Sequence, residues 1–280
     1  MTRTSTPRPL GLHQITAMDL EPAALVKVAR DTGYSEVCVF THIPEIDGSR
    51  PSFPLVTPTT KQDVLTAMSD DNIAIANIEF FSIFEHTEIN AFRQGLELGH
   101  ELGARCAVTH IFDPERARAE ASLGRLAELA SEYSLDVAIE TMGATLPCNS
   151  IAKTLQYITA VNRPNLGIAI DMLHMVRTGT TLTDIKAIPS ELIKYAQVCD
   201  GRSLDVSADY MEEALTARLI PGDGCFPIAG LLQALPALIP IDVEIPNLNR
   251  QQQGIGAAQF AKDAFDATQR LLSHANRDAE

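Results

Sequence analysis

Four oxygen-bearing side chains stand where apolar, strand-like runs of the sequence end. They are Glu140 after "LDVAI", Asp171 after "LGIAI", Gln197 within "YAQVC" and Glu244 after "IDV". Hard divalent cations prefer carboxylate and amide oxygens, whereas a structural zinc site draws on Cys and His. If the fold brings the four together, they could hold Mg²⁺, Mn²⁺ or Co²⁺. The cation would offset the repulsion among three carboxylates in a low-dielectric pocket.

Other polar side chains end or follow the remaining apolar runs. They are His13 or Gln14, His42, Glu79, His110 and His174, and His174 is expected to start the loop after the sixth apolar run. A single histidine or carboxylate at such a place is usually hydrogen-bonded or solvated and has no chemical role. A group of them would mark an active site only if the fold gathers the side chains in one place.

Short apolar runs alternate with amphipathic segments along the whole chain. The apolar runs predict strands over residues 10–18, 36–40, 73–80, 104–111, 135–139, 166–170, 193–199 and 240–243. The amphipathic segments predict helices over residues 22–33, 59–72, 88–103, 114–133, 150–161, 181–188, 228–238 and 254–275. Strands and helices that alternate in this way form a parallel sheet covered by helices.

Eight strand–helix units in 280 residues predict an α/β fold of the closed (β/α)₈ type, a TIM barrel. An open doubly wound sheet is the alternative, but no GxGxxG motif follows the first strand. We predict one barrel domain over residues 10–280, behind a flexible N-terminal arm at residues 1–9. The carboxyl ends of all strands in such a barrel face one crater, so the polar residues at the strand ends become neighbours.

The charge balance argues against a nucleic-acid partner, because 22 basic residues face 36 acidic ones and the net charge is −14. The same balance disfavours an anionic membrane surface. We find neither an apolar run of about eighteen residues nor the apolar segment of a secretory signal. The five cysteines form no CxxC pair, which is typical of free thiols in a reducing compartment. We therefore expect a cytoplasmic protein.

Five segments occur in order between residues 135 and 247, namely "VAIETM", "IAIDMLHMVRTG", "YAQVCDGR", "RLIPGDGCFPI" and "IDVEIPN". Together with the strand pattern they resemble the xylose isomerase-like TIM barrels of the sugar-phosphate isomerase/epimerase and endonuclease IV superfamily. The resemblance implies that one divalent metal ion is held by Glu140, Asp171, Gln197 and Glu244. It also implies that His174 reaches the substrate, and that Arg202 binds a substrate hydroxyl, carboxylate or phosphate.

The resemblance implies an isomerase or epimerase that acts on a small keto-polyol or sugar. A metal chelated by a carbonyl and its adjacent hydroxyl acidifies the neighbouring C–H, and a base then forms the enediolate. The base would be Glu140 or Glu244 in an epimerase-like site. In a dehydratase-like site it would be His42, His110 or His174. Glu79 is a further candidate for substrate contact, or it orients a ligand.

Position 197 leaves an alternative open, because many sugar epimerases of the family have His where this chain has Gln197. A Gln within "Q-x-C-D" is similar to the bacterial 3-dehydroshikimate dehydratases. The alternative is therefore a metal-dependent dehydratase, a lyase, of a cyclic hydroxy-ketone such as 3-dehydroshikimate or an inosose.

Two other classes are disfavoured. An endonuclease IV-like DNA-repair enzyme would need several His ligands and a basic face, which this acidic chain does not offer. A non-catalytic barrel would have lost a metal ligand, and none of the four is missing. Barrels of this type often pair, so a homodimer is an open expectation.

Overall fold

The protein is described by a computed structural model that covers residues 8–44, 53–207 and 209–277. Eight parallel strands form a closed barrel in sequence order, and the last strand pairs with the first. The strands are β1 (Leu10–His13), β2 (Glu36–Phe40), β3 (Ala74–Glu79), β4 (Cys106–Thr109), β5 (Asp136–Glu140), β6 (Leu166–Asp171), β7 (Ile193–Val198) and β8 (Ile241–Val243). The predicted TIM barrel is confirmed.

Helices follow the strands and surround the barrel. In the described ranges they are α1 (Pro22–Thr32), α2 (Lys61–Asp71), α3 (Arg93–Glu101), α4 (Arg116–Glu132), α5 (Ile151–Val161), α6 (Met172–Arg177), α7 (Leu182–Lys186), α8 (Met211–Thr216), α9 (Ile228–Ala234), α10 (Leu248–Gln252) and α11 (Ala257–Arg277). None of them is long and apolar enough to cross a membrane. The predicted arm at residues 1–9 falls largely outside the described residues.

The first helix shows how local sequence fixes an element. Pro22 occupies the first turn, where its missing N–H is not needed. Leu25, Val26 and Ala29 are buried against the barrel at helical spacing. Gly33 ends the helix with a φ of 106°, a left-handed conformation that glycine adopts without strain.

Two sequence predictions about strand ends are wrong. The first strand ends at His13, because residues Gln14–Ala17 turn into a short 3₁₀-helix that the His13 side chain caps. His174 does not lie in a loop, because α6 begins directly after β6. Asp171 caps that helix by accepting a hydrogen bond from the backbone N–H of His174 at 2.8 Å.

The strands alternate between two environments, because successive side chains of a strand point to opposite faces. Residues such as Val137, Ile139 and Ile168 pack outward against the helices in the main core. Ala138 and Ala169 belong to a separate small cluster inside the barrel. Glu140 and Asp171 follow these two alanines by two positions, so they share the interior side and stand at the mouth.

Candidate active site

The four predicted metal ligands stand at the carboxyl ends of four consecutive strands. Glu140 and Asp171 end β5 and β6, Gln197 lies near the end of β7, and Glu244 follows β8 directly. All four side chains are buried. Asp171 is paired in register with Gln197. The ligating atoms of Glu140, Asp171 and His174 lie within 4.8 Å of one another.

Glu140 lies between two imidazoles. Its Oε2 is 2.6 Å from Nε2 of His110, and its Oε1 is 3.2 Å from Nε2 of His174. Burial raises the pKa of Glu140, but the two histidines outweigh it and hold that pKa well below its usual range. Glu140 is therefore an ionised carboxylate at neutral pH.

A short hydrogen-bond chain fixes the ring of His174. The hydroxyl of Tyr210 accepts from the backbone N–H of Gly143 at 2.7 Å and lies 2.8 Å from Nδ1 of His174. Because the oxygen of that hydroxyl already accepts a hydrogen bond from Gly143, the hydroxyl proton is free to be donated to Nδ1. The proton of the neutral imidazole then sits on Nε2, where it faces Glu140.

A buried guanidinium, which the sequence analysis missed, neutralises part of the site. Arg218 is 3% exposed, and its Nη1 lies 2.7 Å from Oδ2 of Asp171 and 3.3 Å from Oε2 of Glu244. Its Nε donates to the carbonyl of Ala214 in α8. Part of the expected carboxylate repulsion is thus offset by the protein itself. The signal was in the sequence, since Arg218 opens the segment "RLIPGDGCFPI".

Arg218 leaves its two carboxyl partners in different protonation states. Burial raises the pKa of Asp171, but the attraction of Arg218 outweighs it and lowers that pKa overall. For Glu244 burial prevails, and its pKa lies well above the usual range. Without a bound cation, Glu244 therefore takes up a proton more readily than Asp171 does.

Among the four predicted metal ligands, Gln197 is the residue whose side-chain amide has no hydrogen-bond partner among the described residues. Its side chain is 1% exposed, and neither the amide oxygen nor the amide nitrogen bonds a described residue. A buried amide without partners costs about 1–3 kcal/mol, so a ligand that supplies one is favoured. An oxygen-binding cation beside Asp171 would fit this position, and the donor set as a whole suits a hard divalent ion.

A second group of potential ligands is formed by His13, Cys38 and Glu79, whose ligating atoms also lie within 4.8 Å of one another. Nδ1 of His13 accepts from the backbone N–H of Ile15 at 3.2 Å, so the ring proton is on Nε2. That nitrogen lies 3.0 Å from Oε1 of Glu79. A protonated Nε2 cannot ligate a metal, so these residues form an ion-pair-like group that orients Glu79.

One cavity of about 310 Å³ opens above these strand ends. Its polar lining residues are Glu79, Ser82, His110, Glu140, His174, Arg218 and Glu244. Asp171 and Gln197 do not line it. Arg218 does line the cavity, and its guanidinium donates a hydrogen bond to Oδ2 of Asp171. The fold therefore brings most of the predicted site residues into one cavity.

Two predicted substrate contacts lie elsewhere. His42 packs against the rings of Phe81 and Phe92, with centroids 5.6 and 4.9 Å away, and does not line the cavity. Arg202 is exposed to solvent beyond β7. Their roles as substrate contacts stay predictions.

A buried carboxyl below the mouth makes the stability of the barrel depend on pH. Asp242 lies in β8 beside Gln197, and neither of its oxygens makes a well-formed hydrogen bond to a described residue. Burial raises its pKa from 3.8 to about 7. The pKa of Asp242 is therefore higher in the folded protein than in the unfolded chain. The protonated carboxyl makes its full contribution to stability at acid pH, and this contribution is lost as the pH rises to about 7.

We expect Asp242→Asn to remove this loss. Each pKa unit corresponds to about 1.4 kcal/mol, so the variant should exceed the natural protein in unfolding free energy by a few kcal/mol above neutral pH. The difference should shrink as the pH falls toward about 4. Urea unfolding across this range measures it, with Asp263→Asn at an exposed position of helix α11 as the control. A difference that is independent of pH would refute the assignment.

Comparisons with known proteins agree with this architecture. The family described as xylose isomerase-like TIM barrel matches residues 25–266. An inosose isomerase of Bacillus licheniformis is 24% identical over 153 residues, which cover 54% of this chain and 54% of that protein. A 3-dehydroshikimate dehydratase of Pseudomonas putida is 26% identical over 150 residues, 52% of this chain and 22% of the dehydratase. The match thus spans about half the length of the inosose isomerase and less of the dehydratase.

The likeness in fold extends over nearly the whole chain. The solved structure of an IOLI protein with a bound zinc atom superposes with a TM-score of 0.78. It covers 95% of this chain and 99% of that chain at 17% sequence identity. The fold, the closed parallel barrel and the family match over most of the sequence lead to one conclusion: the protein belongs to the xylose isomerase-like TIM barrel family.

Proposed function

We propose that the protein is a divalent-metal-dependent isomerase or epimerase that acts on a small hydroxy-ketone, of which keto-polyols and sugars are one class. The observation that carries the proposal is the convergence of Glu140, Asp171, Gln197 and Glu244 on one end of the barrel. Such strand-end residues form the active sites of TIM-barrel enzymes. The similarity to an inosose isomerase supports the same class of reaction.

The four strand-end residues would hold the ion. Three carboxyls and one amide suit Mg²⁺, Mn²⁺ or Co²⁺, and the zinc of the IOLI protein shows that a barrel of this fold can hold a divalent ion. Gln197 supports the assignment most directly, because its buried amide oxygen has no described partner. When bound, the ion would supply Lewis-acid chemistry, polarising a substrate carbonyl so that the adjacent C–H becomes acidic.

The two glutamates have opposite protonation preferences, as an acid–base pair requires. Glu140 is held ionised by its histidines and can remove a proton from a substrate carbon. Glu244 would ligate the ion in its ionised form, but burial raises its pKa, so it takes up a proton more readily than Glu140 does and could return one. Both line the cavity. Return of the proton to a neighbouring carbon gives an isomerase, and return to the opposite face gives an epimerase.

His174 would keep Glu140 ionised through its Nε2 proton, and Tyr210 would hold His174 in that tautomer. We expect Tyr210→Phe to lower kcat by about 10- to 100-fold with little change in KM, because the imidazole could then take the other tautomer. Steady-state kinetics across a range of pH measure the effect, and the dependence of kcat on pH in the acidic range should change as well.

The control for this variant is Tyr34→Phe. The Tyr34 hydroxyl also makes one buried hydrogen bond, to the carbonyl of Ala261, but it lies outside the cavity lining. Both variants lose one buried hydroxyl, which makes two hydrogen bonds in Tyr210 and one in Tyr34. Equal losses of kcat in the two would assign Tyr210 a merely structural role.

A dehydratase is the second candidate function. Gln197 favours it, since the sequence around this residue resembles the dehydratases and a 3-dehydroshikimate dehydratase is among the similar proteins. The proton-removal half of the reaction is the same, but a β-hydroxyl then leaves. In this case His174, with its fixed tautomer, is the candidate to handle the proton that the leaving hydroxyl needs.

A metal-loaded activity screen tests the proposed function. The protein is loaded with Mn²⁺ and incubated with ketoses, inososes and 3-dehydroshikimate. Chromatography detects new isomers, and ultraviolet absorbance detects an enone or aromatic product. Isomer formation supports the isomerase or epimerase, and ultraviolet-absorbing product supports the dehydratase. Turnover that persists unchanged after complete removal of divalent ions would contradict both.

A further inference from the structure

The upper part of the cavity is apolar. Four phenylalanines and two methionines line it together, and we name this surface the apolar wall: Phe40, Phe53, Phe80, Phe112, Met142 and Met211. Ile15, Met18 and Leu215 continue the same surface. Such a lining is suited to an apolar part of a ligand, with a small number of polar groups fixing its orientation.

The aromatic rings form a continuous surface. Phe40 lies 5.2 Å from Phe53 and 5.7 Å from Phe80, measured between ring centroids, and Phe80 lies 5.7 Å from His110. Phe53, Phe80 and Phe112 are only half-buried, although each lines the cavity. Their uncovered ring surface is therefore available to a bound molecule rather than used up in the core.

Most polar groups of the cavity already contact one another, whereas Oε1 of Glu79 makes no well-formed hydrogen bond to a described residue. Ser82 contacts His110, and both His110 and His174 contact Glu140. Glu244 contacts Arg218. Hydroxyl groups of a substrate beyond the carbonyl and its neighbouring hydroxyl would face the apolar wall without partners. Such unpaired polar groups lower affinity far more than missing apolar contacts do.

The charge of the cavity disfavours an acidic group on the same part of the substrate. Glu79, Glu140 and Glu244 contribute carboxyls, whereas Arg218 is the guanidinium among the described lining residues. Arg218 is already engaged with Asp171 and Glu244. The group that lies on the apolar wall should therefore be neutral.

We propose that the apolar wall is a substrate subsite, and that the substrate is a hydroxy-ketone carrying one flat, neutral, apolar group beside its carbonyl. The hydroxy-ketone end lies at Glu140, Glu244 and His174, and the apolar group lies against the rings. This inference rests on the proposed function and narrows its substrate class from small hydroxy-ketones in general to amphipathic ones.

Two probes of equal size test the inference. 2-Hydroxyacetophenone and D-xylulose contain the same number of non-hydrogen atoms, and each has a hydroxymethyl group beside its carbonyl. They differ in that one bears a phenyl ring and the other a hydroxylated chain. The Mn²⁺-loaded protein is incubated with each in deuterated water, and mass spectrometry follows replacement of the α-hydrogen by deuterium. Glu140→Gln protein supplies the background rate.

We expect kcat/KM for exchange to be at least about tenfold higher for 2-hydroxyacetophenone than for D-xylulose. Phe112→Asn and, separately, Phe53→Asn should each lower that ratio by about tenfold, because they place an amide on the apolar wall. Phe265→Asn, which alters a ring packed on Tyr34 far from the cavity, should leave the ratio unchanged. Two half-buried positions are used so that a folding defect in one does not decide the result.

The outcomes separate the inference from the proposed function. Exchange that is as fast or faster with D-xylulose overturns the amphipathic substrate and leaves the enediolate chemistry standing. A high ratio that neither wall variant lowers overturns the subsite. Absence of exchange with both probes and with every substrate of the activity screen contradicts the proposed function, and the inference falls with it.

Discussion

Glu140→Gln should abolish tight binding of a divalent ion and lower turnover by roughly 10²- to 10⁴-fold. The amide keeps the size of the side chain but removes the charge that two histidines hold in place. It also removes a proton acceptor that lines the cavity. Mass-spectrometric metal analysis after Mn²⁺ loading measures the first effect, and steady-state kinetics measure the second. Glu244→Gln should lose turnover in the same way.

Glu36→Gln is the matched control for this substitution. Glu36 is also buried and also points into the barrel, but it begins β2 at the opposite end and pairs with Arg105 at 2.8 Å. It should keep a full complement of metal and full turnover. If Glu140→Gln protein binds Mn²⁺ as well as the natural protein does, Glu140 is not a ligand.

The second large effect is expected on stability. Arg218→Met should lower the unfolding free energy by about 3–5 kcal/mol at neutral pH, because it leaves Asp171 and Glu244 buried without their cation. The melting temperature would then fall by roughly 10 °C for a chain of this length. Scanning calorimetry in the absence of divalent ions measures the loss.

Two conditions should reverse much of this loss. Without Arg218, burial raises the pKa of Asp171, so the variant binds protons more readily when folded and gains relative stability as the pH falls. Mn²⁺ should act in the same direction, since it would replace the missing positive charge. Arg250→Met is the control, because Arg250 is equally buried but its partner Asp19 is largely solvated. A deficit of Arg218→Met that neither acid nor Mn²⁺ reduces would show that packing alone is lost.

The barrel was predictable because its signal is repeated. Eight apolar runs alternate with amphipathic segments, and a closed parallel barrel is the simplest fold that covers both faces of such strands. The convergence of Glu140 and Asp171 follows from the same pattern. Each comes two residues after an interior alanine, and closure brings every strand end to one mouth.

The residues that the sequence did not identify lie in the long connection between β7 and β8. Tyr210 and Arg218 flank the short helix α8, and their positions depend on how that helix packs over the mouth. No periodic pattern reports such packing. Arg202 lies in the same connection, nearer to β7. Because it is close to a strand end in the sequence, it was predicted as the substrate contact in this connection, and Arg218 was not. The structure leaves it exposed.

The apolar wall was hidden for a related reason. Phe53 and Met211 come from connections on different sides of the barrel, and Phe112 follows β4 by three residues. Each one alone is an ordinary apolar residue. Their common surface exists only after the loops have folded over the mouth, so the substrate's apolar group could not be inferred from spacing.

Anomalous diffraction from crystals grown with Mn²⁺ locates the proposed metal site directly. We expect one strong anomalous peak at the carboxyl ends of β5 to β8, within coordination distance of Glu140, Asp171, Gln197 and Glu244. The same peak should be missing in Glu140→Gln crystals. A Mn²⁺-saturated crystal without a peak there, or with its peak at His13, Cys38 and Glu79 instead, would contradict the proposed site.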